Sequence, residues 1–162
     1  MKNTSLGQNL ATTINNAYER LSTEFDNHSS GLRPAPGKWS PKQIIGHLID
    51  SASNNHQRFV RGNFQENLVF KGYQQEEWVR LHAYQEMDWH DLLTLWKGLN
   101  LLIARVMTNT PSTVKQYPHE VHNLDRIAWH RIPAEQPATL GYFMEDYIGH
   151  LEHHVRQILP GF

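Results

Sequence analysis

TLGYFMEDYIGHLEHHVRQILPG, residues 139–161, places an apolar side chain every three or four positions: Leu140, Met144, Ile148, Leu151, Val155 and Ile158. That is the period of an amphipathic α-helix. Thr139 suits the cap that precedes it, and Pro160 with Gly161 stops it after Leu159. A helix with one apolar stripe must bury that stripe against other elements. The fold therefore depends on whether the rest of the chain offers partners of the same kind.

Three more segments do. The first spans about residues 6–25, with Leu6, Leu10, Ile14, Ala17, Leu21 and Phe25 spaced three or four apart. A linker dense in Gly, Pro and Ser, DNHSSGLRPAPGKW, separates it from the second. That second helix opens with WSPKQI: Ser40 can cap, Pro41 fits the first helical position and Gln43 completes a capping box. It is expected to run to about Arg61. The third starts near Asp88, carries Trp89, Leu92, Leu93, Trp96, Leu99, Ile103, Val106 and Met107, and ends at residues 109–111.

Between these lie two long connections. Residues 62–87 are expected to hold a short helix around Gln74–Tyr84. The stretch from Pro111 to Ala138 has four prolines and no clean period. Loops of that length are usually functional or carry irregular structure of their own. With no strand pattern evident, the expectation is an all-α fold: a four-helix bundle with a short extra helix and long connecting loops, one domain over residues 1–162. Up-and-down connection is the simplest topology, and the two long connections leave room for a crossover.

The formal net charge is −1, from 15 basic and 16 acidic residues, so no basic excess marks a nucleic-acid partner. No run of about 18 apolar residues suggests a membrane span, and the start lacks the apolar core of a secretory leader. A cytoplasmic protein is the expectation. The absence of cysteine removes thiolate ligands and a cysteine nucleophile, so any metal site must use nitrogen and oxygen. Eleven histidines stand out.

Three of them lie in HLEHH, residues 150–154. His150 and His154 are one turn apart, about 40° around the axis, and can reach one ion together. His153 points roughly 60° away on the other side. The pair borders the apolar stripe, in a column with Phe143 and Tyr147. Zinc-protease motifs need Glu where this chain has Leu151 or His153, so that reading fails. Taken alone, the pair leaves a metal site and a metal-free histidine pair both open. On the second helix, His47, Ser51, Asn54 and Arg58 continue from Ile44 as a seam beside the apolar one, which includes Asn55. Polar side chains so close to a core are costly unless paired or lining a cavity. Asp50 lies off this line, better placed to support a ligand than to be one. Arg58 reads either as an anchor for a carboxylate or as half of an ordinary salt bridge. His119, His122 and His130 are expected on a surface loop, and the tryptophans are expected mostly to pack.

GKWSPKQIIGHLIDSASNNHQRF and YFMEDYIGHLEHHVRQI together resemble the DinB/YfiT-like superfamily of metalloenzymes. The first matches that family's W-S-x-x-x-x-x-x-H-L segment and the second its H-x-x-H-H-x-x-Q-I segment, in the family's helix order and across the whole chain. The resemblance implies a divalent metal held by His47, His150 and His154, and a homodimer. Zinc is the first expectation, with nickel an ion that recombinant material can acquire. It also implies a small-molecule substrate, since characterised relatives use low-molecular-weight thiols such as bacillithiol or mycothiol. Ser51, Asn54, Asn55, Arg58, Phe143 and Tyr147 are the candidate pocket residues. Thiol transfer is the leading activity. Metal-dependent hydrolysis and a non-catalytic, metal-stabilised binding protein are the alternatives.

Overall fold

The computed structural model describes residues 5–162. Four long helices form its body: α1 (Leu6–Glu24), α2 (Pro41–Gly62), α4 (Trp89–Asn109) and α7 (Leu140–Ile158). Their starts have local causes. Ser40 accepts the Gln43 N–H while the Gln43 side chain returns to the Ser40 N–H, and Ser5 and Gln8 make the same reciprocal pair at α1. Asp88 caps α4 by accepting from the N–H groups of His90 and Asp91, and Thr139 caps α7 by accepting from Tyr142.

The apolar stripes meet inside. Leu10, Ile14, Ala17 and Leu21 of α1 are fully buried, as are Leu92, Leu93, Trp96, Ile103 and Met107 of α4. All six stripe residues of α7 are buried too. Each buried Leu or Ile contributes roughly 1.5–3 kcal/mol, which propensity alone does not supply. Leu99 and Val106, expected in the core, are only half-buried.

The order around the bundle is α1, α4, α2, α7: α4 packs along both α1 and α2, and α7 closes the ring against α2 and α1. Consecutive helices α1 and α2 therefore sit across the core from each other, which is a crossover rather than simple up-and-down neighbours. At the α1–α4 contact a Cβ on Gly7 would lie 2.2 Å from the Ala104 carbonyl oxygen, so only glycine admits that approach. Tyr147 of α7 reaches across the core to donate to Asn100 of α4 at 2.6 Å.

The connections are structured. The first holds α3 (Gln75–His82) and a 3₁₀ turn at Tyr84–Glu86, shorter than the single helix expected there. The second holds α5 (Ser112–Gln116) and α6 (Leu124–Ile127), with single β-bridges pairing Leu68 with His122 and His119 with Ala138. Among the described residues no helix is long and apolar enough to cross a membrane.

Candidate metal centre

The α2–α7 contact brings His47, His150 and His154 together. Ring centroids lie 5.4 Å apart for His47 and His150, 4.8 Å for His47 and His154, and 4.6 Å for His150 and His154. One nitrogen from each ring lies within 4.8 Å of the others. Metal–nitrogen bonds of roughly 2 Å can close such a gap through side-chain movement.

Burial keeps these imidazoles neutral. His47 is 1% exposed, and burial, followed by the nearby His154, pulls its pKa down to about 4. Burial and the neighbouring histidines pull His150 to about 3, and His154 is also lowered, mainly by burial. Neutral imidazole is the form that ligates a metal.

The fit to an ion also rests on orphaned and oriented nitrogens. His47 Nδ1 is buried without a hydrogen-bond partner, a cost of about 1–3 kcal/mol for a group that nothing satisfies. His154 Nδ1 sits 3.0 Å from Gln157 Oε1. With Nδ1–H donated there, Nε2 keeps its lone pair for the ion. His153 is exposed, faces Trp129 and stays outside the triad.

His150 also borders a cavity of about 270 Å³. Ser51, Asn55, Arg58, Phe143 and Tyr147 line it, with Tyr73, Asp146 and Trp129. Asn54, expected among them, lies outside: its amide donates back to the Asp50 carbonyl at 2.9 Å. Asp50 is not engaged with a histidine of the triad either. It accepts from the Tyr84 hydroxyl at 2.6 Å and lies 3.1 Å from His82 Nδ1. Burial raises its pKa against both partners.

The second connection supplies the cavity's other wall. Asp146 accepts the backbone N–H groups of Trp129 and His130, both at 2.8 Å. This docks Trp129 beside His150, with ring centroids 6.2 Å apart. Trp129 thus lines the cavity instead of the core. Its ring lies 3.1 Å from where a Cβ on Gly149 would be. Sequence reasoning missed Trp129, Asp146 and Gln157; the usable signals were Asp146 one turn before His150 and Gln157 one turn after His154. The surface expectation for His119 and His122 is also corrected. Both are buried, with His119 Nδ1 2.7 Å from the Glu66 carbonyl and His122 Nε2 2.7 Å from the Gln136 carbonyl. They hold the connection in place. His130 alone of the three is exposed, 3.3 Å from Asp146.

A helical bundle whose second and last long helices converge three neutral histidines beside a cavity defines a class of metal-site protein. Residues 14–158 match the DinB superfamily, and the chain belongs to it. A protein of Halalkalibacterium halodurans, provisionally assigned as a metal-dependent hydrolase, is 26% identical over 128 residues, 74% of each chain. An Oceanobacillus iheyensis protein with the same provisional assignment is 40% identical over 48 residues. That match spans 30% of this chain and only 28% of the relative. Among solved structures, Bacillus subtilis YfiT superposes with a TM-score of 0.72 at 17% identity, covering 94% of this chain and 83% of its own. It too is provisionally assigned as a metal-dependent hydrolase, with an unusual four-helix-bundle topology. A mycothiol-dependent maleylpyruvate isomerase superposes at 0.63 with 13% identity, covering 91% of this chain and 57% of that one. At these identities the two superpositions establish the fold.

Proposed function

We propose that the chain is a divalent-metal-dependent enzyme in which His47, His150 and His154 hold the ion and the adjoining cavity takes a small-molecule substrate. One observation carries this: His150 belongs both to the converging triad and to the cavity wall. Three protein ligands leave coordination positions free, the arrangement of catalytic rather than structural sites. A divalent ion held there supplies Lewis acidity that makes a thiol or a water a better nucleophile near neutral pH. Zinc is the ion proposed, and nickel suits the same ligands.

The protein's own groups then bind and orient. Phe143 and Tyr147 form an apolar wall, Ser51 and Asn55 a polar one, and Trp129 covers the His150 side against water. Thiol activation is the leading reaction. Asp146 is the one carboxylate in the cavity wall, and backbone N–H groups already occupy both of its oxygens. Those two hydrogen bonds lower the basicity of Asp146 and make it a poor general base for water. A thiol is more acidic than water and gives up its proton more readily beside an ion, and without cysteine in the chain the sulfur comes from a cosubstrate. Hydrolysis is the second reading, favoured by the provisional assignments of the two bacterial relatives. A homodimer remains part of the proposal; Leu95 and Leu102, each 45% exposed on α4, support an apolar face for it, and sedimentation velocity tests it.

The deciding experiment measures metal per chain after purification without a nickel column. About one ion is expected in the wild type and in His153→Ala, and none in His47→Ala, His150→Ala or His154→Ala. A folded wild type that takes up neither zinc nor another divalent ion ends the enzyme proposal. Zinc-loaded protein is then assayed for thiol conjugation and for ester hydrolysis, which separates the two reactions.

A further inference from the structure

Arg58 lacks the partner that a buried cation ordinarily has. It is 6% exposed, near the end of α2. One terminal nitrogen donates to Asn55 Oδ1 at 3.2 Å and the other to the Lys71 carbonyl at 2.8 Å. Both acceptors are neutral. Among the described residues every ion pair involves other groups, and no Asp or Glu oxygen lies within 4.0 Å of the guanidinium. The Tyr73 and Phe143 rings lie about 6 Å away, at 5.9 and 6.0 Å. Aromatic faces compensate a cation only partly. Taking a guanidinium out of water without a counter-charge is expensive, so the ordinary salt bridge is not what this residue is for. Of its five N–H donors, two are used, and the group borders the same cavity as His150.

We infer that this cavity takes a carboxylate-bearing small molecule and that Arg58 is the residue that anchors the carboxylate. A carboxylate suits the remaining donors of the fork. Arg58 is the one buried cation of the wall; Arg126 also borders the cavity, but at its exposed rim and 3.4 Å from Asp125. Asp146 opposes a second negative charge, so a single negative charge is favoured over a phosphate dianion. The volume, about 270 Å³, lies just below the usual range for ligand sites, roughly 300–1,000 Å³, which suits a small molecule. Phe143, which neighbours the guanidinium, precedes His150 by one helical run of seven residues, about 10 Å of rise. The carboxylate and the group presented to the triad are therefore separated by a chain of several bonds. That direction rests on the proposed function; the anion anchor itself does not.

The test uses two calorimetric titrations. Hexanoate and hexanamide are titrated into metal-free protein, where no ion can attract the acid. 6-Mercaptohexanoate, 6-mercaptohexanol and 3-mercaptopropionate are titrated into zinc-loaded protein. The acid is expected to bind at least about tenfold more tightly than its neutral analogue in both. Arg58→Gln abolishes that preference, Arg58→Lys restores part of it, and Arg126→Gln, at the exposed rim, keeps it. The three-carbon acid binds more weakly than the six-carbon one. Equal binding of acid and neutral analogue, or a preference that survives Arg58→Gln, overturns the inference. Equal affinity for the short and long acids overturns the span. If Arg58→Gln does not fold, the wild-type pairs and Arg58→Lys decide. Failure to bind zinc leaves the hexanoate arm intact, so loss of the metal proposal and loss of this one are told apart.

Discussion

At the scale of single residues, the centre is defined as much by what orients its nitrogens as by the nitrogens. Gln157 sits one turn beyond His154 and holds its Nδ1, and its amide nitrogen lies 3.4 Å from His153 Nε2. Acceptance of His154 Nδ1–H by Gln157 Oε1 selects the His154 tautomer with Nε2 free. Partners of this kind tune affinity by roughly 10–100-fold without changing the ligand count. Gln157→Leu is therefore expected to weaken zinc binding by that factor while one ion per chain still binds at saturation. Competition with a chromogenic chelator measures it. Unchanged affinity would mean that the ring is held by its packing alone. The shared direction of His150 and His154 was readable from spacing, because a pair one turn apart beside an apolar stripe points one way. Spacing left a metal-free pair open, and His47 joined them only through the family resemblance. Gln157 was not readable, since an exposed glutamine after a histidine has many ordinary uses.

At the scale of elements, α2 carries both the first proposed ligand, His47, and a close approach that only glycine allows. Gly46, just before His47, faces the Tyr84 ring, and a Cβ there would lie 2.1 Å from it. The ring cannot easily retreat, because its hydroxyl is fixed to buried Asp50. Gly46→Ala gains about 1 kcal/mol of helix propensity, but overpacking costs typically 1–3 kcal/mol, and an overlap this deep belongs at the upper end. A fall in melting temperature of several degrees is expected, readable by circular dichroism; a rise would show that Tyr84 repacks freely. Helix limits were legible because capping boxes and apolar periods are local. The partners of the helices were not. Nothing in the stripes of α1 and α2 says that they face each other across the core, and Trp129 reaches His150 only because Asp146 ties down a connection more than a dozen residues earlier in the chain.

At the scale of the molecule, the cost of burying three neutral imidazoles becomes a pH dependence. His47 titrates near 4 and His150 near 3 when folded, against about 6.5 when unfolded. His154 moves in the same direction. Below pH 6.5 the unfolded chain therefore binds protons that the folded chain refuses, and stability falls with pH. The loss develops from about pH 6.5 down towards 4 and 3, and above 6.5 it is absent. For His47 alone the full effect is about 3 kcal/mol. Metal-free protein is expected to lose melting temperature steadily over this range, whereas His150→Ala loses less, because one depressed group is gone. Zinc held by the folded triad is expected to raise the melting temperature with the logarithm of its concentration once that exceeds the dissociation constant. The same depressed pKa values delay proton competition, so zinc affinity is expected to persist further into the acid range than free imidazole ligands near 6.5 would allow, and to be lost as the pH approaches about 4, where His47 takes up its proton. Differential scanning calorimetry from pH 8 to 4, with chelator or with zinc, reads both effects. Equal pH slopes for the metal-free wild type and His150→Ala would mean that the imidazoles are solvated enough to titrate normally. In that case α2 and α7 would have to part readily at the triad, which the packing of Leu48 and Leu151 into the core opposes.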